Sequence, residues 1–110
     1  MTVRALMVLV AFSGDAAAQS WDPMSGDDIL AALTDQVVVY EDATQKFFAS
    51  GRTLYTTLED SWGGWAVRGD QYCSTWPPSG TWDCYDMTRA GQVVRFVDAY
   101  GNVSEGELRQ

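Results

Sequence analysis

From Val37 onward, the chain consists of short apolar or alternating runs separated by residues that favour turns. The runs are residues 37–40, 46–48, 52–58, 64–68, 71–76, 81–88, 92–98 and 103–108. Between them stand glycine-containing segments at 50–51, 69–70, 77–80, 90–91 and 100–102. Runs of this length at this spacing are typical of antiparallel β-hairpins. The pattern therefore predicts a curved antiparallel meander sheet of six to eight strands.

A helical pattern precedes the first of these runs. Ser25 stands three residues before Asp28, which is the spacing of a capping box, and acidic residues suit the positive end of a helix. We therefore expect a short helix over residues 26–34, whose apolar face would consist of Ile29, Ala32 and Leu33. The predicted fold class is α+β and mostly β, with this N-terminal helix packed on the sheet. The alternative of a sheet that closes partly into a barrel stays open.

The turn residues indicate a strand register that brings the two cysteines together. A two-residue loop at Gly69-Asp70, with glycine first as type II′ turns prefer, sets Ala66 opposite Cys73. A four-residue loop at 77–80 then sets Cys73 opposite Cys84. Residues opposite each other on antiparallel strands lie about 4.5–5.5 Å apart at Cα, which is within disulfide range. We therefore predict a disulfide between Cys73 and Cys84.

Two further turns extend this register through the last strands. A two-residue loop at Ala90-Gly91 sets Phe96 opposite Tyr85, and a three-residue loop at 100–102 sets Glu107 opposite Arg95. One face of the four strands then carries the predicted core, namely Trp65, Val67, Tyr72, Trp76, Tyr85, Met87, Val94, Phe96 and Leu108.

The opposite face of the same four strands is polar. One row on it contains Arg68, Gln71, Asp86, Arg95 and Glu107. The disulfide is expected on this face, beside Ala66 and Val97, either at the outside of the sheet or beneath the N-terminal helix. Closing a loop this short should stabilise the domain by roughly 3 kcal/mol on the chain-entropy model.

The first eighteen residues have the pattern of a secretory signal peptide. Arg4 precedes the apolar run 5–12, and Ala16-Ala17-Ala18 offers a small-residue cleavage site. The apolar run is shorter than the roughly 20 residues that span a bilayer, so no membrane span is expected in the mature form. We predict a signal peptide over 1–18, a single disulfide-stapled β-rich domain over 19–110, and a periplasmic or secreted location. The alternative is a buried N-terminal strand.

Charge and residue usage narrow the possible functions. The chain has 15 acidic and 7 basic residues, a net charge of −8, and so should repel nucleic-acid phosphates. It contains no histidine, the commonest general base and a member of the usual catalytic triads. The cysteines are too far apart in sequence for a C-x-x-C redox motif. We therefore expect no catalytic residues, no metal ligands and no cofactor, and a protein that is not an enzyme.

Tryptophans suggest a binding surface instead. The register places Trp65 and Trp76 in the core, whereas Trp62 and Trp82 either stand exposed as aromatic platforms or pack beneath the helix. Pro77 and Pro78 lie in the 77–80 loop, which the disulfide would hold rigid. We therefore treat Trp62, Trp82, Pro77 and Pro78 as the candidate binding surface.

The block around the cysteines resembles a known family. Residues 62–76, followed by Cys84-Tyr85, are similar to small exported bacterial proteins classed as domain of unknown function 995. The matching positions, in order over about residues 25–108, are Phe47-Phe48 with Gly51, Gly63/Gly64-Trp65, Cys73-x-x-Trp76 and Cys84. The resemblance implies a periplasmic or secreted location and a helix-plus-sheet fold. It supplies no activity and no catalytic residues.

These observations favour an exported, non-enzymatic module that binds an unidentified protein or small ligand at the sheet or barrel mouth. One alternative is an inhibitor of an exported hydrolase that presents loop 77–80. Another is an envelope-structural or stress protein. An enclosed apolar cavity would favour ligand binding, whereas a filled core with a protruding 77–80 loop would favour inhibition.

Overall fold

The computed structural model describes residues 20–109, which form nine β-strands and one helix. Their bounds are β1 Asp22–Pro23, α1 Gly26–Leu33, β2 Gln36–Val39, β3 Thr44–Phe47, β4 Arg52–Thr56, β5 Asp60–Arg68, β6 Gln71–Thr75, β7 Trp82–Ala90, β8 Val93–Val97 and β9 Val103–Arg109. The predicted signal peptide at 1–18, and its alternative of an N-terminal strand, lie outside the described residues. Across 20–109, no helix has the length and apolar character needed to cross a membrane.

Strands β2 to β9 close into an eight-stranded antiparallel barrel. Each strand pairs with the next one along the chain, and β9 returns to pair with β2, where Val38 faces Leu108. The predicted meander is thus confirmed, and closure is complete. Strand β1 pairs with β7 at the stretch that β6 leaves free, because the β6–β7 pairing ends where Gln71 faces Asp86.

Helix α1 plugs one end of the barrel. Its N-terminus carries the predicted capping box: the Asp28 amide donates to Ser25 Oγ at 3.1 Å, and the Ser25 amide donates to Asp28 Oδ2 at 2.9 Å. Ile29 and Leu33 are fully buried. They belong to one core cluster with Met24, Ala32, Val38, Phe47, Trp65, Tyr72, Met87, Val94, Phe96 and Leu108. The predicted helix and its apolar face are confirmed, with Thr34 as the C-cap.

The β5–β6 turn holds the start of this helix in place. The Gly26 amide donates to Asp70 Oδ1 at 2.8 Å. The backbones of Gly26 and Gly69 approach so closely that a Cβ at Gly26 would overlap the Gly69 carbonyl oxygen. Glycine at this position therefore allows the helix to dock on the turn.

The register predicted for β5, β6 and β7 is confirmed. Ala66 faces Cys73, and Cys73 faces Cys84. The two cysteines form a disulfide with a Cα–Cα separation of 4.0 Å, slightly closer than expected. Gly69 has a φ of +59°, consistent with its predicted place as the first residue of the turn.

The register predicted for β8 is wrong by two residues against both of its neighbours, β7 and β9. Phe96 faces Met87 rather than Tyr85. The reason is Gly91, whose φ of +61° makes it the first loop residue, so the loop is Gly91-Gln92. Arg95 faces Glu105 rather than Glu107. Here the loop spans 98–102, because the Asp98 carboxylate accepts hydrogen bonds from the amides of Tyr100 and Asn102 at 2.8 and 2.9 Å.

A two-residue shift leaves every side chain on its predicted face, since side chains alternate along a strand. The nine predicted core residues therefore all face the interior. The predicted polar row is only partly right. Arg68, Gln71 and Asp86 share a row, but that row continues to Val97 and Val103.

The shift also moves the neighbours of the disulfide. Ala66 lies beside Cys73 as predicted, but Val97 faces Asp86 and not Cys84. The disulfide is on the outer face of the barrel, where Cys73 is fully buried. The helix does not cover it, because α1 packs into the barrel end with the interior core cluster, to which Cys73 does not belong.

Candidate functional site

The barrel end opposite α1 opens into a cavity of about 720 Å³. The turns β2–β3, β4–β5, β6–β7 and β8–β9 surround its mouth. The interior of an eight-stranded barrel is just wide enough to be filled by side chains or to hold one small ligand. In this barrel the half next to α1 is filled and the other half is not.

Aromatic rings form the cavity wall. Seven aromatic residues line it: six on the wall, Tyr40, Tyr55, Tyr72, Trp76, Tyr85 and Phe96, and Trp62 at the rim. Neighbouring rings pack edge to face, as in the pairs Tyr72–Phe96 at 5.2 Å and Tyr55–Trp76 at 6.2 Å between centroids, which is a favoured geometry for aromatic side chains. The wall is thus built from rings that support one another.

The Trp76 indole lies flat against strand β5 because of a glycine. A Cβ at Gly63 would stand 2.5 Å from the Trp76 ring, so any larger residue would push the indole into the cavity. The indole nitrogen of Trp76 donates to Ser74 Oγ at 3.2 Å. Ser74 is itself only 3% exposed, and its hydroxyl lines the cavity wall.

A buried amide forms the floor between the filled half and the cavity. Gln45 Oε1 accepts a hydrogen bond from the Tyr40 hydroxyl at 2.8 Å. Gln45 Nε2 donates to Thr53 Oγ1 at 3.0 Å and to the Tyr72 hydroxyl at 3.2 Å. Both amide protons are therefore satisfied, as burial of this group requires. The network fixes the orientation of two of the lining tyrosines.

Three tyrosines of this site, Tyr40, Tyr72 and Tyr85, are held in the neutral form by a raised pKa. Burial raises the pKa of Tyr72 to about 12, and burial also raises the pKa of Tyr40 strongly. The pKa of Tyr85 is raised by burial and by the nearby negative charges of Asp83 and Asp98. At neutral pH these three residues therefore present phenol groups, not phenolates, to a bound molecule.

The electrostatic character of the cavity is negative. Among residues 20–109, no lysine or arginine lines it, whereas Glu41, Asp42 and Glu105 do. Glu105 forms an ion pair with Arg95 at 2.9 Å on the outer face. The uncompensated charge at the mouth thus comes from Glu41 and Asp42 in the β2–β3 turn.

The four residues proposed as a binding surface do not lie together. Trp62 and Pro77 contribute to the cavity rim. The Trp62 indole is 42% exposed and packs on the outside, with the Arg52 guanidinium 4.1 Å from its ring centroid.

Trp82 and Pro78 lie away from the cavity. The Trp82 indole, 38% exposed, stacks against the Arg68 guanidinium at 4.5 Å on the outer face. Pro78 is exposed in the β6–β7 loop. Neither tryptophan is fully buried, and the helix covers neither.

Sequence reasoning missed part of the site. Tyr72, Trp76, Tyr85 and Phe96 were expected only as core, and Tyr40, Tyr55 and Gln45 were not singled out. A usable signal is the alternation of aromatic and polar residues at inward positions, as in Thr53-x-Tyr55 and Tyr72-x-Ser74-x-Trp76. Polar residues at positions that should be apolar mark where a barrel interior is not simply packed.

The fold and cavity define the class of protein: an up-and-down β-barrel with one plugged and one open end. Comparison with protein-family models, curated proteins and solved structures finds no match for this chain. The resemblance to domain of unknown function 995 stays a prediction. Within 20–109, no group of three histidine, cysteine or carboxylate residues is placed to hold a metal ion.

Proposed function

We propose that this protein is an exported, non-enzymatic module that binds a small organic molecule in the open end of its barrel. The observation that carries the proposal is the aromatic-walled cavity of about 720 Å³. Pockets that bind small molecules have volumes of roughly 300–1,000 Å³ and apolar, often aromatic walls with a few placed polar groups. Ser74, Gln45 and the tyrosine hydroxyls are such groups.

Hydrogen bonds among the lining side chains hold the cavity wall in place. Gln45 orients Tyr40 and Tyr72, and Ser74 holds the Trp76 indole against Gly63. Side chains that are already ordered lose less entropy when a ligand binds. This arrangement supports binding of a molecule inside the barrel.

The same cavity weakens the case for an inhibitor that presents loop 77–80. Residues 77–80 are exposed, as an inhibitory loop would be, but Pro77 also forms part of the cavity rim. An inhibitory loop needs a rigid support and has no use for an open space behind it. Export is supported by the leader pattern at residues 1–18, and a periplasmic or secreted location would provide the oxidising conditions that disulfides need.

The proposal can be tested with the neutral fluorescent dye N-phenyl-1-naphthylamine, which brightens in apolar sites. Ser104 faces the cavity from strand β9, and Val103 beside it faces outward. We expect Ser104→Trp to narrow the cavity and weaken dye binding by roughly tenfold or more, while Val103→Trp leaves the affinity within about twofold.

Thermal melts of both variants show whether each is folded before binding is compared. Dye that binds wild type and both variants equally would place the binding site elsewhere on the molecule. A wild-type protein that gives no fluorescence increase with this dye would count against an apolar ligand site.

A further inference from the structure

None of the six basic residues on the barrel strands lines the cavity. Arg89 and Arg109 lie beside α1 at the opposite end, and the other four point to the outer face. Arg52 stacks on Trp62 at 4.1 Å and Arg68 on Trp82 at 4.5 Å. Arg95 stacks on the Trp21 indole at 3.8 Å and pairs with Glu105. Lys46 also points outward, since its neighbours along β3 are buried on the inside. Apart from Arg95, which pairs with the cavity-lining Glu105, these cations balance no charge at the cavity.

Two unpaired negative charges stand at the cavity mouth. Glu41 and Asp42 line it from the β2–β3 turn. The ion pairs within residues 20–109 are Arg95–Glu105 and Arg109–Glu107, so neither Glu41 nor Asp42 is neutralised by a described basic side chain.

The wall behind these carboxylates is itself attractive to a cation. The faces of tyrosine, tryptophan and phenylalanine rings carry partial negative charge, and a cation within about 6 Å of a ring centroid is attracted to it. Tyr40, Tyr55, Tyr85 and Trp76 all line the cavity. An anion would meet repulsion from both the carboxylates and the ring faces, without a basic residue to receive it.

We propose that the molecule bound in the cavity is an organic cation: a protonated amine or quaternary ammonium group joined to an apolar or aromatic body. The cationic group would lie near the carboxylates of the mouth, and the apolar body would lie among the rings. This inference rests on the proposed function, because it concerns the charge of a ligand in the same cavity.

The test uses three probes of nearly equal shape and different charge. These are benzyltrimethylammonium, its neutral carbon analogue neopentylbenzene, and the anion benzylsulfonate, each measured on the full mature chain by direct titration calorimetry and by displacement of N-phenyl-1-naphthylamine. We expect the cation to bind roughly tenfold or more tightly than the neutral analogue, and the anion to bind most weakly. The preference should shrink as salt is raised, because the mouth carboxylates are exposed to solvent.

The results separate the two proposals. If the dye and the neutral analogue bind but the cation binds no better than the neutral analogue, the cation inference is wrong and small-molecule binding stands. The inference is equally wrong if the anion competes as well as the cation. If neither the dye nor any of the three probes binds, both proposals fail.

A pair of charge variants locates the effect. Glu41→Gln combined with Asp42→Asn removes two charges at the mouth and should weaken cation binding by roughly three- to tenfold at low salt, without changing the neutral analogue. Asp27→Asn combined with Glu107→Gln removes two exposed charges on the helix and the outer face and should leave both affinities within about twofold. Equal losses in the two double variants would show that net charge, and not the mouth, sets the preference.

Discussion

The two ends of the barrel are built from the same eight strands, and aromatic residues face inward at both. Near α1, Phe47 packs against Trp65 and Tyr72 with centroids 5.6 and 5.8 Å apart, and Phe47 is fully buried. At the other end, Tyr55 and Trp76 lie 6.2 Å apart and line an open cavity. Similar rings at similar spacing thus form a packed core at one end and a cavity wall at the other.

The difference comes from what is added to the strands. At the plugged end, α1 inserts Ile29 and Leu33, both fully buried, between the strands. At the open end no helix enters within residues 20–109, and the inward positions include Gln45 and Ser74. We infer that the plugged end supplies most of the folding free energy, which leaves the open end available for binding.

The largest expected effect tests this division directly. Phe47→Ala removes a fully buried ring from the plugged end and should lower the free energy of unfolding by about 3–5 kcal/mol. Tyr55→Ala removes a partly buried ring next to the cavity, where solvent already reaches one side, and should cost less than about 2 kcal/mol. Urea unfolding followed by tryptophan fluorescence measures both.

The same two variants should behave in the opposite order when binding is measured. Tyr55→Ala removes part of the cavity wall and should weaken binding of N-phenyl-1-naphthylamine. Phe47→Ala, assayed well below its melting temperature, should affect binding much less. If Tyr55→Ala destabilises the fold as strongly as Phe47→Ala, the two ends are not functionally distinct.

Most of the fold could be predicted from local sequence, and the errors are instructive. Side-chain alternation made the inward and outward faces robust, so a two-residue error around Phe96 moved no residue to the wrong face. Gly69 was correctly placed first in its turn, and the same rule applied to Gly91 would have corrected the β7–β8 register. The turn after β8 was harder, because the Asp98 side chain, and not a glycine, defines where it starts.

The cavity could not be predicted in the same way, because it depends on contacts between distant parts of the chain. Closure requires Val38 to pair with Leu108, and no turn residue connects those strands. The depth of the cavity depends on how far α1 enters the opposite end. Local patterns therefore identified the ring-bearing strands but not the space between them.

Alkaline pH should test the boundary between the two halves. Tyr72 lies at this boundary, and its raised pKa of about 12 means that the folded state keeps the phenol proton when the unfolded chain has lost it. Its contribution to stability is complete below about pH 10, the ordinary tyrosine pKa, and is lost as pH rises towards 12. The difference of about two units between the pKa of Tyr72 in the folded protein and its ordinary value corresponds to a loss of about 3 kcal/mol in the free energy of unfolding. The raised pKa of Tyr40 changes stability in the same direction.

Tyr72→Phe provides the control for this effect. The variant loses the hydroxyl that accepts a hydrogen bond from Gln45 Nε2, so it starts from a lower stability, but it has no phenol to ionise at this position. Between pH 10 and 12 the stability of the variant should therefore fall less steeply than that of wild type. The difference between the two slopes should be about 1.4 kcal/mol per pH unit. Parallel slopes for the two proteins in urea unfolding would mean that Tyr72 is not shielded as the structure describes.

The smallest expected effect concerns the hydrogen bond that attaches helix α1 to the β5–β6 turn. Asp70→Ala removes the acceptor for the Gly26 amide at the start of α1 and should lower stability by about 1 kcal/mol, the usual cost of losing a helix N-terminal hydrogen bond. Asp86→Ala is the matched control, because Asp86 accepts a side-chain hydrogen bond from Gln71 on the exposed outer face and should cost less than about 0.5 kcal/mol. Dye affinity should be unchanged in both variants, since neither residue lines the cavity. A loss of affinity in Asp70→Ala alone would mean that the helix position is transmitted through the core to the open end, and the two ends would then have to be treated as one coupled unit.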